Sequence, residues 1–81
     1  MITQEEAAHV LHYYDSSKGW QGGSFTTALI TAFTKADPEN TMHLAWGFPG
    51  YCEAMRLARY GRDGLDILED IFNNTSNNIE T

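Results

Sequence analysis

The chain has 81 residues, 42% of them hydrophobic and 12% aromatic, and a formal net charge of −6. Such a length makes one domain of modest stability, or one helped by self-association, and no stretch approaches the ~20 apolar residues of a membrane span. An acidic chain is a poor general binder of DNA or RNA phosphate, and a lone cysteine, Cys52, excludes an internal disulfide framework and fits a reducing cytoplasm.

Met1 to Glu6 lacks the basic and apolar regions of a signal peptide, which adds to the cytoplasmic expectation. Thr3-Gln4-Glu5-Glu6 reads as a capping box and predicts a first helix over 4–14. Ala7, Val10, Leu11 and Tyr14 mark its inner face by their i, i+3, i+4, i+7 spacing. Residues 15–23 hold three glycines and two serines and are expected to form a loop. A second helix follows over 24–36, with Phe25, Ala28, Leu29, Ala32, Phe33 and Ala36 as its apolar stripe. Asp37-Pro38 stops it and caps a short third helix, 38–46, with Met42, Ala45 and Trp46 inward and Gly47 just past its end. Pro49 opens a fourth helix that Gly61 ends, with Tyr51, Met55 and Ala58 inward. Asp63 then caps a last helix, 64–72, which packs Leu65, Leu68, Ile71 and Phe72. Residues 73–81, rich in Asn, Ser and Thr, are expected to form a disordered tail. No alternating strand pattern occurs, so the expected fold is all-α, a small bundle of four to five short helices in a single domain over 1–72.

The run Gly23-Ser24-Phe25, Ala28-Leu29-Ile30, Lys35-Ala36-Asp37, Asn40, Leu44 and Gly47-Phe48-Pro49-Gly50-Tyr51 resembles a pattern in short uncharacterised proteins of phage and bacterial genomes. It covers nearly half the chain, residues 22–58. The resemblance carries no established activity; by analogy of lifestyle alone, small phage proteins often oppose host defence and some sequester nucleotide signals.

The richest chemical feature is the run Gly22-Gly23-Ser24-Phe25-Thr26-Thr27 at the start of the second helix. Unpaired N–H groups and the positive end of the helix dipole suit an anion there. A tight turn with Ser24 as an ordinary N-cap is the plainer account. Arg56, Arg59 and Arg62 form a slanting stripe suited to phosphate or carboxylate, unless they pair with Glu53, Asp63 or Asp66 at helical spacing. Trp20, a large ring in a glycine loop, either stacks on a ligand or folds back over the core. Glu5, His9 and His12 share a helix face but lack a fourth metal ligand at standard spacing, so no metal site is assigned. Cys52 with His43 invites a nucleophile reading but has no evident orienting partner.

These features predict a non-enzymatic, cofactor-free binding protein for a small phosphate- or nucleotide-like anion. The expected site comprises Trp20, Gly22, Gly23, Ser24, Phe25, Thr26, Thr27, Arg56, Arg59 and Arg62. So small a chain is expected to build that site at a homo-oligomer interface. The alternative is an inhibitor that sets its acidic face, Asp63 to Asp70, against a basic host protein. A minor hydrolase using Cys52 or a metal comes third.

Overall fold

The computed structural model describes residues 1–77, which form five helices: α1 (Gln4–Tyr14), α2 (Ser24–Lys35), α3 (Pro38–Gly47), α4 (Pro49–Tyr60) and α5 (Gly64–Asn77). The fold is all-α, with no strand among the described residues.

Local chemistry sets most helix ends. Glu6 N–H donates to Thr3 Oγ1 at 3.1 Å and Thr3 N–H to Glu6 Oε1 at 2.9 Å, so the capping box of α1 is complete. Asp37 Oδ1 accepts from Asn40 N–H at 2.8 Å and caps α3, with Pro38 in its first turn. α3 runs through Gly47 rather than stopping before it. Phe48 then serves as both C-cap of α3 and N-cap of α4, a one-residue hinge held before Pro49. Gly61 caps α4, its N–H donating to Leu57 O at 3.0 Å. Asp63 leads into α5 in the left-handed region, φ 58°, and its carbonyl accepts from Ile67 N–H at 3.0 Å. α5 continues to Asn77, five residues beyond its expected end at 72. Gln4 Nε2 donates to Phe72 O at 2.9 Å, tying the later turns of α5 to the start of α1. Residues 78–81 of the expected tail lie outside the described residues.

The core lies where α1, α4 and α5 meet and is completed by α2. Ala7 and Val10 of α1, Leu29, Ile30 and Phe33 of α2, Ala54 and Met55 of α4 and Leu68 of α5 form one buried cluster. Small residues let the axes come close. A Cβ on Gly50 would meet the Glu6 carboxylate, and one on Gly64 would meet the Leu57 carbonyl.

Two helices are rolled relative to the expected faces. On α2 the buried set is Leu29, Ile30 and Phe33, while Phe25 and Ala28 are exposed. Burying Ile30 removes more apolar area from water than burying Ala28 would. On α3 Leu44 packs against the core, while Met42 and Trp46 face solvent, Trp46 at 76% exposure. Tyr14 of α1 is likewise exposed, although the spacing places it inward.

Candidate functional site

Direction decides which predicted site residues can meet. Thr26 hydrogen-bonds Tyr51 near the start of α4, and Arg59 Nη1 donates to Phe33 O at 3.0 Å near its end. α2 and α4 therefore run the same way. Tyr51 and Arg59 stand eight residues apart, about 12 Å along a helix. The N-terminus of α2 thus lies at the opposite end of α4 from Arg59 and Arg62.

At the α2 start Gly23, not Ser24, is the N-cap, and no side chain caps it. Ser24, Thr27 and Gly23 are exposed, and Gly22 and Thr26 half-buried. Phe25 projects outward to meet the Phe48 ring, centroids 5.9 Å apart. His9 Nδ1 lies 2.8 Å from the Tyr51 hydroxyl, with the rings stacked. Burial raises the Tyr51 phenol above its ordinary range, the Thr26 hydrogen bond opposes this, and nearby Glu5 and Glu6 push it up further. Those two carboxylates set negative charge beside the helix start and work against an anion there.

Trp20 folds back onto the bundle. Its backbone N–H donates to Ala8 O at 3.2 Å and its ring meets Phe72 edge-on, centroids 5.1 Å apart. Gly19 allows this by adopting φ 69° where a Cβ would strike the Ala8 carbonyl. His12 Nδ1 lies 2.9 Å from Lys18 O; a carbonyl only accepts, so this nitrogen carries the proton. The histidines expected on one metal-like face thus serve α4 and the loop separately. Among the described residues no group of three or more His, Cys, Asp or Glu is placed to hold a metal ion.

Arg56 and Arg59 line a groove of about 520 Å³ between α3, α4 and the end of α2. Its walls are apolar: Phe33, Ala36, Pro38, Met42, Ala45 and Met55, with Cys52 and Thr41 along the sides and Tyr60 at the arginine end. Among the described residues no acidic one lines it. Arg59 is held in place by the Phe33 carbonyl, one of the orphan acceptors at a helix C-terminus, and its guanidinium sits 5.2 Å from the Tyr60 ring centroid. Arg56 is exposed and, like Arg59 and Arg62, makes no ion pair among the described residues. The anticipated surface pairs with Glu53, Asp63 and Asp66 do not form; Glu53 instead meets the N-terminal ammonium at 3.1 Å. Arg62 lies in the α4–α5 turn and does not line the groove.

No family model, curated protein or solved structure matches the chain. The groove's own chemistry must therefore carry the functional argument. Of the ten residues expected to form one site, it gathers two, Arg56 and Arg59. Pro38, Thr41, Met42 and Ala45 on α3, and Cys52, Met55, Arg56 and Arg59 on α4, make two facing i, i+3, i+4, i+7 stripes. That repeated spacing was the available signal for the groove. Cys52 lines it, whereas His43 borders the far side of α3 against Trp46, ring centroids 5.8 Å apart.

Proposed function

We propose that this chain is a non-enzymatic binding protein that takes a small anionic ligand, phosphate- or nucleotide-like, in the α2–α3–α4 groove. One observation carries this reading: on a protein of net charge −6, two arginines without an acidic partner among the described residues stand beside an apolar groove. Guanidinium groups offer paired donors to phosphate or carboxylate, and the apolar walls suit a ring or hydrocarbon body. Sequestration of a host defence signal is the role proposed by analogy with small phage proteins in general. A host-protein inhibitor is the second reading, supported by the exposed Asp63, Asp66 and Asp70.

Thermal unfolding against nucleotides, cyclic nucleotides and simple anions tests the proposal. A ligand at 100 times its Kd adds about 2.7 kcal/mol, which raises Tm by roughly 10 °C or more in so small a domain. Arg56→Ala and Arg59→Gln are expected to abolish the shift. Gly23→Ala is expected to leave it intact, since a Cβ there meets nothing within 4 Å. A shift lost in Gly23→Ala and kept in both arginine variants would return the site to the α2 start. A flat panel would overturn the small-anion reading.

A further inference from the structure

Charge is sorted along the C-terminal half of the chain. Arg56, Arg59 and Arg62 follow one another with no acid between them, and Asp63, Asp66, Glu69 and Asp70 follow with no base. The fold does not let the two runs neutralise each other. None of the arginines has an ion-pair partner among the described residues, and of the four acids only Glu69 has one, Lys18 at 3.0 Å. α5 packs on α1 and α4, burying Leu68 and turning Asp66, Ile67 and Asp70 outward.

The outward face of α5 is therefore an exposed isoleucine flanked by two carboxylates about 6 Å apart along the helix axis. The groove presents the complement: an apolar floor with half-exposed Met42 at its side, and two guanidinium groups about 4.5 Å apart along α4. Within one molecule these surfaces cannot meet, because α5 is anchored to α1 and α4 by its opposite face.

We propose that the groove docks the outer face of α5 from a second copy of this chain, with Ile67 on the apolar floor and Asp66 and Asp70 on Arg56 and Arg59. The contact is heterologous. Each added copy leaves one groove and one α5 free, so association propagates into a ring or an open chain. This inference rests on the groove being an anion acceptor, and it adds a regulation: a free anion and a second copy compete for the same two arginines. A bound ligand then dissolves the assembly, and assembly shields the groove.

Sedimentation velocity on the full chain tests it. The native protein is expected to sediment above its 9.1 kDa monomer mass at about 20 mM salt and to return towards it at about 0.5 M, where exposed charge pairs are screened. Arg56→Glu/Arg59→Glu and Asp66→Lys/Asp70→Lys are each expected to be monomeric. An equimolar mixture of the two is expected to associate, because each supplies the charge the other's surface requires. Arg56→Glu alone serves where the double variant loses helical circular dichroism, since Arg56 makes no ion pair among the described residues. A monomer throughout, an assembly indifferent to both swaps, or a mixture that stays monomeric overturns the proposal. Asp66→Lys/Asp70→Lys keeps the groove intact and separates the two ideas. If it shows the ligand-dependent Tm shift while the native chain is monomeric, self-docking alone fails. If neither protein responds to any anion, the ligand reading fails by itself.

Discussion

Asp15 shows how one side chain organises the loop between α1 and α2. Its Oδ1 accepts from the Ser17 hydroxyl at 2.6 Å and from Ser17 N–H at 3.1 Å. These bonds favour the charged carboxylate and hold its pKa below the ordinary aspartate value of 3.8. A folded-state pKa below the unfolded one gives a contribution that is complete above 3.8 and is lost as pH falls through the depressed value. Asp15→Asn is therefore expected to flatten the acid limb of stability against pH and to leave the shape near neutrality unchanged, as read by urea unfolding over a pH series. Lys18 has the opposite sign: its hydrogen bond to Glu69, then the Glu69 charge, raises its pKa, so its contribution persists until pH rises through that elevated value. Gly19 is the residue the loop cannot replace. Gly19→Ala combines a positive φ with a collision at the Ala8 carbonyl, and a loss of about 1–3 kcal/mol is expected in the same unfolding measurement.

Among the elements, α2 carries the sharpest test of which face is inside. Phe33 is 2% exposed and Phe25 is 66% exposed, although both fall on the stripe that spacing alone selects. Phe33→Ala is expected to cost about 3–5 kcal/mol, the range for deleting a buried ring. Phe25→Ala is expected to cost under about 1 kcal/mol, since it removes little beyond the Phe48 contact. Equal losses in urea midpoint would place both rings in the core and refute the observed roll. α2 was ambiguous because apolar residues occupy 25, 28, 29, 30, 32 and 33, which fit two overlapping stripes. α3 was ambiguous for a related reason. It contributes no fully buried residue, so its amphipathic signal is weak, and its roll follows Leu44 and the Phe48 hinge rather than Met42 and Trp46.

At the scale of the whole molecule, burial is uneven, and opening should follow it. α1 contributes Ala7, Ala8, Val10 and Leu11 to the interior and contacts α2, α4 and α5. α3 contacts chiefly α4 and buries no residue fully. Native-state hydrogen exchange is expected to find the most protected amides in the middle of α1 and α4, and α3 exchanging through local opening at much lower free energy. Uniform protection across all five helices would contradict this picture. The same measurement bears on the groove, because α3 forms one of its walls.

The sequence alone determined what is local: four to five short helices, of which the fold has five, their caps at Thr3, Asp37 and Gly61, the proline starts at 38 and 49, and the all-α class. These depend on hydrogen bonds and dihedral preferences within a few residues, which linear order displays directly. The candidate site was legible only in pieces, because its convergence depends on helix direction and roll. Because α2 and α4 run parallel, the start of α2 lies near Tyr51, and Arg59 stands about 12 Å further along α4. The Trp20 ring turns instead to Phe72, 52 positions later in sequence, as the loop folds back onto α1 and α5. Which apolar stripe is buried, and which arginines are left without acids, is decided by competition among all five helices for one small core, and that competition exists only once they are packed.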